Sequence, residues 1–132
     1  MMKNNNVYKY LFIFYSLVVL VLTVYPRINL PIDPKGFSVD KLAHSAQFII
    51  FSFLYYKMRK SMKQTRRVII IELFFLGTLI SPVLESLQLY IPGRSFEWWD
   101  IASNLFGFYL FIIFEILIAV FKGNKQRTAE SL

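Results

Sequence analysis

The sequence has no cysteine and a single histidine. The first absence excludes disulfides, thiolate metal sites and a cysteine nucleophile, and leaves the redox compartment unspecified. The second leaves one imidazole, His44, for proton transfer near neutral pH. Charge is also sparse: Asp, Glu, Lys and Arg make up 17% of the 132 residues, against about 25% in an average soluble domain. Acids are the scarcer sign, 8 against 15 Lys and Arg, for a net charge of +7. A positive balance points to nucleic acid where basic residues share a face; here they sit between apolar runs, so no nucleic-acid partner is expected. What is abundant is apolar: 56% of residues are hydrophobic and 18% aromatic. A chain of this length and composition is one domain of an integral membrane protein.

Four apolar segments set the expected architecture, an all-α polytopic membrane protein with four transmembrane helices at about 7–25, 40–57, 68–90 and 98–121. The first, 19 residues long and basic only at its start (Lys9), suffices at about 1.5 Å per residue to cross roughly 30 Å of hydrocarbon. A cleaved leader fits it less well, because Leu22-Thr23-Val24-Tyr25-Pro26 lacks small residues for a cleavage site. Three prolines and a glycine in residues 26–39 predict a loop. The second segment is interrupted by His44, Ser45, Gln47 and Ser52, and a helix this polar belongs inside a bundle. Six basic residues and no acid follow in residues 57–67. The third segment contains Pro82, which removes a backbone hydrogen bond and kinks a membrane helix near Thr78. Trp98 and Trp99 mark an interface belt before the fourth helix, and residues 122–132 read as a polar, frayed tail. No internal repeat or low-complexity tract occurs.

Charge asymmetry orients these spans. The N-terminal tail, the loop after the second helix and the C-terminal tail carry eleven Lys and Arg, the two opposite loops four. The positive-inside rule therefore predicts both termini cytoplasmic. Asp40, Lys41, His44, Glu85, Gln88, Arg94, Asp100 and Asn104 then fall in one layer at the outer face. Glu72 and Glu115 fall near the cytoplasmic ends, within reach of the basic loop, as orienting or solubilising charges.

Within that layer the spacing is informative. Asp40 and His44 are four residues apart, Lys41 and His44 three, Glu85 and Gln88 three, and Asp100 and Asn104 four, so each pair shares a helix face. A histidine beside carboxylates can act as general acid or base. Lys41, Arg94 and the outward N-termini of the second and fourth helices offer the elements of an anion site. Structural roles compete with this reading: Asp40 and Asp100 complement helix N-termini, Ser95 caps the fourth helix, and Arg94 pairs with Glu85 or Asp100. Any one residue is explained that way more readily than all eight, since buried ion pairs are a poor source of stability beside apolar packing. One His with carboxylates can ligate Zn²⁺ or Mg²⁺, but neither HxxxH nor HExxH occurs, so neither a metal nor a cofactor is expected. Ser103 and Gly107 form a small-xxx-small pair on the fourth helix. Phe48, Phe51, Phe53, Tyr55 and Tyr56 read as bundle and lipid contacts.

Asp40-Lys41-x-x-His44, Glu85-x-x-Gln88, Pro92-Gly93-Arg94 and Asp100-x-x-x-Asn104-x-x-Gly107, in this order, resemble the VanZ-like family of small bacterial integral membrane proteins. The resemblance covers residues 40–107, and hydropathy extends it to all four spans. Phe111 stands where many members carry a further glycine. The resemblance implies a multi-pass protein of the bacterial cell membrane, in a family whose namesake is linked to low-level resistance to the glycopeptide teicoplanin.

Three functions follow as expectations. The first is an outward-facing polar site for an anionic cell-envelope ligand, a lipid-linked phosphate or a glycopeptide-related molecule, with Lys41 and Arg94 on the anion and Asp40, Glu85, Gln88, Asp100 and Asn104 shaping the site. The second is a membrane enzyme with His44 as general acid or base on a lipid headgroup. The third is a structural or accessory subunit whose polar layer locks the bundle. Membrane lipids are the expected surroundings, and transport through so small a bundle would require a homo-oligomer.

Overall fold

The computed structural model describes residues 5–25 and 39–130, with backbone alone for residues 5 and 125–130. The described chain is all-helical: α1 (Asn5–Val24), α2 (Val39–Ser61), α3 (Arg66–Gln88) and α4 (Trp98–Glu130). Three stretches are long and apolar enough to cross a membrane, Asn6–Val24, Arg66–Gln88 and Trp98–Asn124. α2 equals α3 in length at 23 residues but carries His44, Ser45, Gln47 and Ser52 in its apolar part. The loop expected at residues 26–39 lies outside the described residues, except that Val39 already begins α2.

The helix boundaries at the basic stretch and at the C-terminal end depart most from expectation. α2 runs on to Ser61 and α3 starts at Arg66, so most of the basic stretch is helical. The turn between them has Lys63 in the left-handed region at φ 63°. The backbone N–H groups of Lys63 and Gln64 donate to the carbonyls of Lys60 and Arg59, satisfying the end of α2. Thr65 then caps α3, its hydroxyl accepting from the Val68 N–H. At the other end of the chain, α4 continues to Glu130, nine residues past the expected end at 121. The tail read as frayed is helical through Glu130, and residues 131–132 lie outside the described residues. Residues 122–130 contain no proline and one glycine, so no strong breaker stops the helix.

Aromatic rings fill the centre of the bundle. Phe48 of α2 and Phe108 of α4 have ring centroids 5.0 Å apart, and Phe51 meets Phe108 edge-on at 5.7 Å. Phe12 brings α1 onto Phe51 at 5.0 Å. Phe48, Phe51 and Tyr56 are buried whereas Phe53 is exposed, so the aromatic face divides between the core and the outer surface. Phe111 lies edge-on against Tyr56 at 5.9 Å. Pro82 stays within α3; on either side of it the hydroxyls of Thr78 and Ser86 donate to the carbonyls of Phe74 and Pro82 at 2.8 and 2.7 Å.

The two acids near the basic turn tie helices together. Glu72 of α3 pairs with the Arg59 guanidinium of α2, whose Nε donates at 2.8 Å, and accepts from the Tyr55 hydroxyl at 3.1 Å. Arg66 of α3 reaches Glu115 of α4 at 3.3 Å and donates to the Tyr56 hydroxyl at 3.2 Å. This end of the bundle is therefore clamped by charge, and the polar cluster occupies the other.

Candidate functional site

The cluster begins where α3 hands over to α4. Glu85, on the last turn of α3, is buried by the helices around it and turns its carboxylate toward the start of α4, where Oε1 accepts from the Glu97 backbone N–H at 2.7 Å. A carboxylate at a helix N-terminus satisfies an orphan donor and complements the positive end of the helix dipole. This is the role considered for Ser95, here supplied by a different helix. Glu97 itself extends its side chain to Lys41 of α2, whose Nζ donates to Glu97 Oε2 at 2.7 Å and also to Asp100 Oδ1. Lys41 lies 4.0 Å from Asp40 Oδ2 as well. One ammonium thus faces three carboxylates.

Asp100 continues the chain of contacts. It sits in the first turn of α4, where an acid favours the helix, and its Oδ2 lies 3.7 Å from His44 Nε2. Asp40, one turn before His44 on α2, places Oδ1 3.9 Å from the same nitrogen. The other ring nitrogen, Nδ1, is 3.0 Å from Asn104 Oδ1. The ring thus turns Nδ1 to an amide oxygen, which can only accept, and Nε2 to the two aspartates. Beside this, Ser45 donates to the Ser103 carbonyl at 3.0 Å, binding α2 to α4 one residue further round both helices.

Side chains from three helices therefore join in sequence: Glu85, the Glu97 backbone, the Glu97 carboxylate, Lys41, Asp100, His44 and Asn104. Glu85 and Asp100 are 1% exposed, Gln88 2% and Asn104 3%, a degree of burial rare for such groups. Asp40 and His44 remain half-buried and form the open side. The layer expected from helical spacing thus contains Asp40, Lys41, His44, Glu85, Asp100 and Asn104 in one contact network, with Gln88 buried on the same helix as Glu85.

Arg94 is placed elsewhere. Its guanidinium donates to the Tyr25 carbonyl at 3.2 Å from Nε and 2.9 Å from Nη2, and to Leu22 at 3.1 Å. It closes the carbonyl end of α1 and pairs with neither Glu85 nor Asp100 in the way considered. The Arg94→Ala variant is expected to lower stability by about 1–2 kcal/mol, the value of a charged donor on exposed carbonyls, and to leave ligand binding at the cluster unchanged. Unfolding curves in detergent with a parallel binding assay check this; lost binding with an unshifted curve would return Arg94 to the site.

Glu97 was not among the expected site residues: it stands immediately before α4, three positions ahead of Asp100, and accepts from the Lys41 ammonium at 2.7 Å. Tyr90, Trp98 and Trp99 lie exposed around this end of the bundle. No family model, no curated protein and no solved structure matches the chain.

Proposed function

We propose that this chain is a VanZ-like membrane protein that crosses the bilayer four times, keeps both termini in the cytoplasm, and presents its polar cluster at the outer face to the head group of an anionic cell-envelope ligand. The observation that carries this reading is the burial of Glu85, Gln88, Asp100 and Asn104 in one layer at one end of a bundle whose centre is apolar. Ionisable groups near membrane depth cost roughly 2.5–3.5 kcal/mol or more each, and buried ion pairs add little stability that apolar packing would not supply. A ligand that uses the groups accounts for their retention. Supporting the fourth span, α2 has the length of α3 and packs against α1, α3 and α4, which shelter its polar residues. Supporting the orientation are the excess of Lys and Arg on the opposite side and the exposed Trp98, Trp99 and Tyr90 beside the cluster, where a membrane interface favours aromatic rings.

The ligand's anionic group would meet Lys41 and the N-terminal N–H groups of α2. Lipid-linked phosphates and glycopeptide-related molecules both offer such a group. A second reading, a headgroup enzyme with His44 as general acid or base, is favoured by one observation: Asn104 holds Nδ1 and leaves Nε2 facing Asp40 and Asp100.

Purified protein in nanodiscs, titrated with a polyprenyl phosphate, tests both. Lys41→Gln is expected to weaken binding by the folded fraction at least tenfold, and also to lower stability, since it leaves the buried Asp100 carboxylate without its ammonium. Should His44→Ala keep binding and abolish headgroup turnover, the enzyme reading gains; binding untouched by Lys41→Gln removes the anion reading. A reporter inserted between α1 and α2 that reads cytoplasmic would overturn the orientation.

A further inference from the structure

We infer that Asp40, His44 and Asp100 bind a divalent transition-metal cation, Zn²⁺ or Mn²⁺, and that this ion receives the phosphate of the ligand proposed above. The ion-binding part stands on geometry alone, and the phosphate part rests on the proposed function.

Asp40 Oδ1, His44 Nε2 and Asp100 Oδ2 converge. Nε2 is 3.9 Å from the first and 3.7 Å from the second, and one ligand atom from each residue lies within 4.8 Å of the others. Donors about 2.1 Å from a tetrahedral ion stand roughly 3.4 Å apart. The closure required is therefore small, and Asp40, whose side chain is 42% exposed, lies on the open side of the set. The three come from two rigid helices, Asp40 and His44 one turn apart on α2 and Asp100 on α4.

The orientation of the imidazole is the second, independent observation. With Nδ1 turned to the Asn104 oxygen, the ring turns Nε2 toward the two carboxylate oxygens, so an ion seated there would meet one nitrogen and two oxygen donors. A histidine ligand whose other nitrogen donates to a fixed oxygen is the usual outer-shell arrangement of a metal site. Lys41, bonded to Asp100 Oδ1, holds that carboxylate with Oδ2 turned inward. A nitrogen donor in the set favours Zn²⁺ or Mn²⁺ over Mg²⁺ or Ca²⁺, which prefer all-oxygen shells.

The ion also resolves a charge problem. The cluster holds four carboxylates, on Asp40, Glu85, Glu97 and Asp100, against the Lys41 ammonium, so an ion there would add to the single positive charge that Lys41 offers a phosphate. A divalent ion with three protein ligands offsets two of those charges and keeps a position open for a phosphate oxygen. The sequence motifs for metal sites miss the arrangement because they require two histidines on one helix, whereas this set is Asp-x-x-x-His plus an aspartate from another helix.

The experiment titrates tag-free protein in detergent with Zn²⁺ by calorimetry after EDTA treatment. One ion per chain is expected, with Kd raised at least tenfold by His44→Gln and by Asp40→Asn, and unaffected by Glu72→Gln at the far end. Asn104→Ala, which frees the ring without removing a ligand, should weaken binding by about ten- to a hundredfold. X-ray absorption of the wild-type complex, which needs no variant to fold, should report one imidazole among oxygen donors. No binding by folded wild-type protein, an all-oxygen shell, or affinity indifferent to Asp40→Asn overturns the ion site. Polyprenyl phosphate titrated with and without Zn²⁺ separates the two claims: binding that persists in EDTA overturns the bridging ion and spares the ligand reading. Zn²⁺ bound with no phosphate retained in either buffer supports the ion site and overturns the ligand reading instead.

Discussion

Asp100→Ala is expected to destabilise the folded bundle by about 3–5 kcal/mol, the cost of removing one partner from a buried ion pair. Asp100 is 1% exposed and accepts from the Lys41 ammonium, itself largely covered. Without the carboxylate Lys41 keeps Glu97, at 2.7 Å, but faces the space Asp100 occupied. His44 loses its closest charged neighbour as well. Thermal and denaturant unfolding in detergent would report the loss. The informative comparison is Lys41→Met combined with Asp100→Leu, which replaces both charges by apolar groups of similar volume. Such replacements are often neutral or stabilising, so the double variant is expected to recover most of the stability lost in the single one. It should bind neither Zn²⁺ nor phosphate. A cluster retained for stability gives the opposite result, a double variant as fragile as Asp100→Ala. An Asp100→Ala protein that melts with the wild type would mean that the pair is solvated and contributes little to either role.

Much of this cluster was legible because helical periodicity converts spacing directly into faces. Asp40 with His44 and Asp100 with Asn104 needed no tertiary information to be paired, and the three polar segments needed only a topology to be put at one level. Arg94 shows the limit of that reasoning. Its level was right, but a side chain in a turn has no helical face, and nothing in the local sequence says that the carbonyls of Leu22 and Tyr25, about 70 residues earlier, are within its reach. Glu97 lay just outside the helix as expected and so escaped the pairing rule that would have joined it to Asp100. The ends of helices were harder to read than their centres. The basic stretch looked like a loop because charge is common in loops, yet Lys and Arg are good helix formers, and it took the left-handed Lys63 to break the helix. Glu72 and Glu115 were expected within reach of the basic stretch, to which their partners Arg59 and Arg66 belong, but spacing did not show that these pairs tie neighbouring helices together.

Among the described glycines, Gly107 should be the one where an added methyl does the most damage. A Cβ built on Gly107 falls 2.4 Å from the Ser45 carbonyl oxygen and 3.1 Å from Phe48 Cβ. The oxygen belongs to the backbone of α2, so it cannot rotate aside, and the clash is relieved by moving one helix away from the other. Gly77 provides the contrast: its added Cβ would meet the Phe108 ring at 2.7 Å, and a ring can turn at a smaller cost. Gly123 has nothing within 4 Å, so Gly123→Ala removes a poor helix former and should be neutral or stabilising by up to about 1 kcal/mol. For Gly107→Ala we expect a loss of about 3 kcal/mol, the upper part of the range for overpacked cores. The effect should reach the site, because the same α2 and α4 contact carries Ser45 to Ser103 and His44 to Asn104, each at 3.0 Å. Helices forced apart at Gly107 stretch both bonds and release the imidazole from its fixed orientation. Gly107→Ala should therefore weaken Zn²⁺ binding although it touches no ligand, and Gly77→Ala should lower the melting temperature without doing so. Equal effects of the two variants on stability and binding would show that α2 and α4 part freely, and that the close approach at Gly107 does not set the geometry around His44.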